Sequence, residues 1–228
     1  MIELKKSFKY NAAKEGQFPL LFQKEIISVI VTIEQKDSVT AYHFLLEQAN
    51  LPKPKDFSYA EDLLQLTLHE YLISVFGQQN VLKDVFYFSE KDLTQCSVLF
   101  PNSNRTLVFV WKDEENYRDP SFLIVGGHIQ TEKSMQFDNQ IEQNVWRSNQ
   151  GLYTGMSLSE LQTLNGQDIK FYGCKSDYAG AVMPQTKGKI NFDRIGCVLN
   201  YLNCAGSANY QKPVVNSGDA LSDDKKFM

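Results

Sequence analysis

No stretch of this 228-residue chain approaches the ~18 consecutive apolar residues of a membrane-spanning helix. The richest run, Ile26 to Ile33, is strand-sized and broken by Ser28 and Thr32. An excess of positive charge is also missing. Lys and Arg number 23 against 27 Asp and Glu, a formal charge of −4, so nucleic acid is not expected as a partner. The histidines, His43, His69 and His128, show neither H-x-x-x-H nor H-E-x-x-H spacing, and no metal site is expected from them. Gly126-Gly127 and Gly151 to Gly155 lack the spacing of a phosphate loop, and no cofactor is expected. The opening MIELKKSFKY has no continuous apolar core of the signal-peptide kind. Cysteines are few: Cys96, Cys174, Cys197 and Cys204, with no C-x-x-C spacing and hence no closed zinc site. They are read as buried thiols or as one disulfide, with Cys174 and Cys197 the pairing considered.

What is present is an ordinary globular composition, 43% apolar and 22% charged, in a chain long enough to bury a core. The clearest local pattern is LYTGMSLSELQTLNGQDIKFYG, residues 152–173. Ser157 is an N-cap residue and Glu160, three positions on, completes a capping box, with Met156 and Leu161 as the hydrophobic staple. Leu158, Leu161 and Leu164 form one apolar stripe, and Asn165-Gly166 provides the left-handed stop. A helix this short must lie on a sheet, and Ile169 to Tyr172 begins one. A similar order occurs earlier. Ser58 and Glu61 predict a second box, Leu64, Leu68, Tyr71, Leu72 and Val75 share a face, and Gly77 ends the helix before strand-like Asp84 to Phe88. Helix, Gly-Gln and strand recur in the same order, which raises an internal duplication.

Along the chain, Ile2 to Tyr10 reads as a loose strand and Asn11 to Phe18 as a loop. Glu25 to Glu34 is a β-branched strand; Val39 to Leu46 returns after a turn, though AYHFLLEQA suits a helix equally. The prolines of Leu51-Pro52-Lys53-Pro54-Lys55 mark a boundary. Strands follow at Ser97 to Phe100, Thr106 to Lys112 and Phe122 to Gln130, with a bulge suggested at Gly126-Gly127. Gly180 to Met183, Lys189 to Phe192 and Ile195 to Leu202 read as a meander, and the tail from Asn216 as loose. Segregated helices and strands predict an α+β protein: residues 1–54 as an N-terminal β segment, 55–130 as a first helix-plus-antiparallel-sheet unit and 131–228 as a second.

No catalytic residue stands in a recognisable setting. Binding candidates are the aromatics Trp111, Trp146, Tyr153, Tyr172 and Tyr178, with Arg147 and Asp177 in turns beside the second unit. Strand alternation requires some of these aromatics to point into the core instead.

LYTGMSLSELQTLNGQDIKFYG with the following SDYAG, and VFGQQNV leading to SVLFP and LVFVWKDEE, resemble a group of uncharacterised bacterial proteins, many from the Bacteroidetes, predicted to be exported or lipid-anchored. The phrase G-M-S-x-x-E-L-x-x-L-N-G is also similar to small lipoproteins and inhibitors of the β-lactamase-inhibitor-protein-like fold. The resemblance implies a non-enzymatic module of the bacterial cell envelope, outside the cytoplasm, that presents a sheet face to a protein or a small apolar ligand. It defines no catalytic residue. The alternative is a hydrolase with a cysteine or carboxylate nucleophile, Cys174 or Asp177, in a cleft between the two units.

Overall fold

A computed structural model describes residues 16–22, 25–36, 39–48, 51–89, 92–126, 144–199 and 208–224. The chain separates into two compact units, Met1–Ile129 and Gln130–Met228. Each combines helix with antiparallel sheet, so the architecture is α+β.

The first unit opens with an antiparallel meander of β1 (Gly16–Phe22), β2 (Glu25–Lys36) and β3 (Val39–Gln48). The β-branched run from Glu25 forms β2, and the ambiguous segment after Val39 is strand. The loop expected through Phe18 gives way to strand at Gly16; β1 borders the sheet, the position at which a strand tolerates a proline such as Pro19. The strand expected over Ile2 to Tyr10 lies outside the described residues.

A second antiparallel meander follows: β4 (Val81–Ser89), β5 (Asp92–Leu99), β6 (Leu107–Asp113) and β7 (Arg118–Val125), in that spatial order. In the sequence between the two sheets, the single helix predicted from Ser58 to Gly77 is split. A 3₁₀ segment covers Ala60–Gln65 and α1 covers His69–Phe76. The capping carboxylate is Asp62 rather than Glu61: the Ser58 and Tyr59 N–H groups both donate to its Oδ2 at 2.8 Å. The helix breaks because Thr67 and Leu68 pair with the start of β7. Asp119 N–H donates to the Thr67 carbonyl at 2.9 Å, and His69 N–H to the Tyr117 carbonyl at 3.1 Å. That non-local pairing replaces one helical turn while Leu63, Leu66 and Leu72 become fully buried. Gly77, at φ 90°, ends α1.

Directly opposed residues share a sheet face. One face carries Ser97, Leu99, Leu107, Phe109 and Trp111 beneath α1, whose His69 reaches Ser97. The other carries Phe86, Thr94, Cys96, Val98, Val108, Val110, Phe122 and Ile124. Phe88 of β4 lies 6.0 Å, ring to ring, from Phe122 of β7, although two strands intervene. A flat sheet would hold those edges about 14 Å apart. The sheet therefore curls, and its rim closes over the small core of Cys96, Val98, Val108 and Val110. Irregularities at Tyr87/Ser89 and Val110/Trp111 supply the extra twist. Gly126, at φ 81°, follows β7, and Gly127 lies outside the described residues.

In the second unit α2 (Leu158–Asn165) is capped as its sequence predicts. Ser157 Oγ accepts from the Glu160 N–H at 3.2 Å, Glu160 Oε2 accepts from the Ser157 N–H at 2.8 Å, and Gly166 ends the helix at φ 73°. Met156 and Leu161 both pack into the core of this unit, with Ile169, Phe171, Val182, Ile190 and Phe192. β8 (Lys170–Tyr172) pairs with β9 (Val214–Asn216) and bridges to Val182, while Ala181 bridges to Val198. The meander strand expected at Gly180 to Met183 is thus reduced to bridges at Ala181 and Val182, and the described part of the one expected at Ile195 to Leu202, up to residue 199, to a bridge at Val198. Lys189 to Phe192 is not a strand. Buried Asn165 holds it as a loop, its Nδ2 donating to the Gln167 and Lys187 carbonyls (3.1 and 2.8 Å) and its Oδ1 accepting from Ile190 N–H (3.2 Å). The tail expected to be loose instead forms β9 and α3 (Ser217–Asp224). Ser217 fixes it, its hydroxyl accepting from Ile169 N–H at 2.8 Å and its N–H donating to the Ile169 carbonyl at 2.9 Å.

Candidate functional site

The predicted site residues separate into core and surface. Trp111 is 2% exposed and Trp146 7%, so neither indole presents a contact surface. Trp111 stacks on Phe109 at 5.5 Å because residues two apart on β6 share the face beneath α1. The remaining five lie on the second unit. Arg147 and Tyr153 are bridged across a tight turn, with the guanidinium 4.7 Å from the Tyr153 ring centre. The Tyr153 hydroxyl donates to Glu160 Oε1 at 2.9 Å. That bond raises the Tyr153 pKa; Glu160 is held below the usual carboxylate range, first by the Ser157 backbone N–H and then by the Ser157 and Tyr153 hydroxyls. The capping box is thus shared with a surface tyrosine. Tyr172 and Tyr178 form a second pair, with ring centres 5.5 Å apart and Tyr178 68% exposed. Asp177 is exposed beside them.

Nucleophile and base geometry occurs in the first unit without access. Ser97 Oγ lies 2.8 Å from His69 Nδ1 and accepts from Trp111 Nε1–H at 3.0 Å. The indole can only donate, so all three groups are satisfied when the serine proton points to Nδ1 and Nε2 carries the imidazole proton. Desolvation, and secondarily the Lys83 charge, lowers His69 from 6.5 to about 4. Ser97 is fully buried, so this trio serves the packing of α1 on β5 and β6 and has no face for a substrate.

The free thiols are withdrawn too, Cys96 wholly buried and Cys197 half-buried. Burial raises Cys96 to about 12, with Asp84 adding to it, and raises Cys197 to about 11. Cys174 is disulfide-bonded and Cys197 is free, so the pairing of these two is not formed; the partner of Cys174 lies outside the described residues. Cys174 therefore offers no thiolate nucleophile in this state. Among the described residues, no three His, Cys, Asp or Glu side chains converge as metal ligands would. No helix among them is long and apolar enough to cross a membrane.

The feature that sequence reasoning missed is the rim of the curled sheet. Phe86 and Phe88 meet at 4.9 Å and Phe88 meets Phe122 at 6.0 Å. Phe88 is 46% exposed, Phe122 43% and Leu82 49%, while Tyr87 and Leu93, opposed on the other face of the same hairpin, reach 66% and 52%. A signal was available. The run Val85-Phe86-Tyr87-Phe88 does not alternate with polar residues, so apolar side chains leave both faces of β4 at the hairpin end. The cavities of the second unit differ in character. One, about 410 Å³, follows the loop from Pro184 to Asp193 and is mostly polar; another, about 680 Å³, lies between α2 and α3 with walls of mixed polar and apolar character.

Comparison of the chain with protein-family models, with curated proteins and with solved structures finds no match in any of the three.

Proposed function

We propose that the protein is a non-enzymatic interaction module of the bacterial cell envelope that docks a protein partner through the rim of its four-stranded sheet. The observation that carries this reading is the exposed aromatic lip of Phe88 and Phe122, in ring contact at 6.0 Å, with exposed Tyr87 and Leu93 on the opposite face of the same hairpin end. Single exposed apolar residues are ordinary, whereas aromatics grouped in this way belong to contact surfaces. A projecting lip suits the groove of another protein better than it suits a small molecule, which favours an enclosing pocket. The envelope assignment is supported by the Cys174 disulfide, since such bonds persist in oxidising compartments, and by the resemblance of residues 58–202 to exported bacterial proteins. The buried Ser97–His69 pair and the raised thiols favour binding over hydrolysis.

The test is crosslinked affinity capture from envelope and soluble fractions of the source cells, with unlabelled protein as competitor. The expected result is one saturable partner from the envelope, with capture reduced at least about tenfold in Phe88→Ser/Phe122→Ser and unchanged in Tyr178→Ala. Equal capture by the double variant, with its folded circular dichroism intact, overturns the reading.

A further inference from the structure

We propose that the free edge of β4 pairs antiparallel with β4 of a second copy of this chain, continuing the sheet across a two-fold axis at Val85. The two edges of the four-stranded sheet are not equally protected. β7 carries Pro120, which has no N–H to offer, and its start is already covered: Leu68 bridges to Arg118, and Asp119 N–H donates to the Thr67 carbonyl. β4 runs through nine residues without a proline and pairs only with β5 among the described residues. Which of its backbone groups face outward follows from the ladder. Phe100 N–H donates to the Asn80 carbonyl at 2.7 Å, which makes Asn80 and Phe100 a hydrogen-bonded pair. Alternation then turns the N–H and C=O of Leu82, Asp84 and Phe86 toward β5, and those of Lys83, Val85 and Tyr87 away from it. The Val85 N–H agrees with this direction, since it donates to its neighbour's side chain, Asp84 Oδ1, at 2.8 Å rather than to a strand. Such an open row of backbone groups is a template for another strand.

The order of residues along β4 selects a second copy as the occupant. A two-fold axis normal to the sheet keeps each residue on its own face, so few registers are open. Centred on Lys83 or on Asp84, the pairing sets that charge directly opposite its own copy. Centred on Phe86, it carries Leu82 past the end of the partner strand. Centred on Val85, it sets Val85 opposite its own copy, Lys83 opposite Tyr87, Asp84 opposite Phe86 and Leu82 opposite Phe88, with no like charges facing. Lys83, Val85 and Tyr87 are the outward-turned residues, so in this register each of their opposed pairs exchanges two N–H···O bonds. The side chains agree with the backbone. Lys83 Nζ already lies 4.0 Å from the Tyr117 ring centre, and Tyr87 of the second copy, 66% exposed in the single chain, brings it another aromatic face beneath α1. Leu82 and Phe88, both exposed, cover one another on the opposite face of the sheet. This pairing goes beyond the docking of a different protein at the rim: Phe122 takes no part in it, and the purified chain forms it alone.

The test is analytical ultracentrifugation of the purified intact chain at concentrations up to about 0.1 mM, where a strand-edge interface of modest area is populated. The expected result is a reversible shift from monomer to dimer mass as concentration rises. Tyr87→Lys sets an ammonium opposite Lys83 of the second copy on both sides of the axis and raises the dissociation constant at least about tenfold. Adding Lys83→Glu in the same chain restores dimerisation, because in this register alone the new carboxylate faces the new ammonium. Val85→Pro removes the outward N–H at the axis, a change an edge strand tolerates, and leaves a folded monomer by circular dichroism. A native chain that stays monomeric throughout overturns the proposal. So does a dimer that Tyr87→Lys leaves unchanged, or one that Lys83→Glu fails to restore.

Discussion

Trp111 Nε1–H donates to Ser97 Oγ across 3.0 Å, inside a region where both residues are almost wholly buried. The same oxygen lies 2.8 Å from His69 Nδ1, so one hydroxyl joins α1, β5 and β6. Replacing Ser97 with Ala leaves an indole donor and an imidazole nitrogen buried without partners. The expected loss is about 2–3 kcal/mol in urea unfolding, with folding retained. Ser97→Thr, which keeps the hydroxyl, should lose less.

His69 should make stability fall in mild acid. Its folded pKa, about 4, lies below its ordinary 6.5, so between these values the unfolded chain binds a proton that the folded chain refuses. The contribution is fully present above about pH 6.5 and is lost progressively as pH falls to about 4, amounting to at most about 3 kcal/mol. His69→Asn keeps an acceptor for the Ser97 hydroxyl but does not titrate. The urea midpoint of this variant should be flatter across the same window, and an unchanged slope would sink the assignment.

How much of this was legible beforehand follows from the range of the interactions. The α2 cap, its staple and its glycine stop are contacts within a few residues, and they appear where Ser157, Glu160 and Gly166 predict them. The earlier Ser58 pattern misleads because a distant partner, the start of β7 with which Thr67 and Leu68 pair, breaks the helix. β9 has three residues, too short to show a period, and exists because β8 and Ser217 receive it. The site fared likewise. Aromatic type alone could not separate Trp111 from Phe88; that needed the register of β6 and the curl of the sheet.

The free thiols should be silent in the native protein. Raising Cys96 from 9.0 to about 12 and Cys197 from 9.0 to about 11 lowers their thiolate populations roughly 1,000-fold and 100-fold, before any shielding from reagent. A thiol-reactive chromogen at pH 8 should therefore show no fast phase without denaturant. In guanidinium both Cys96 and Cys197 should react. A fast native phase assigned to either residue by mass spectrometry would contradict the raised thiol pKa values.

Gly173 and Gly196 provide a matched pair for locating rigidity in the second unit. A Cβ on Gly173 would overlap the Lys212 carbonyl oxygen and lie 2.8 Å from that of Tyr210. Both obstacles are backbone, and both belong to the segment that delivers β9: Gly173 N–H donates to the Pro213 carbonyl at 3.1 Å, and Cys174 N–H to the Tyr210 carbonyl at 2.9 Å. A methyl group cannot be accommodated by turning a side chain, so Gly173→Ala must push β9 away from β8. The expected cost is about 3 kcal/mol or more, with amide exchange accelerated in Val214–Asn216 and α3 before the rest of the unit. A Cβ on Gly196 meets nothing within 4 Å, and Gly196→Ala should lie within about 0.5 kcal/mol of the native chain. If the two substitutions destabilise equally, β9 is not held against Gly173, and the close approach of backbone to backbone is not what anchors the tail.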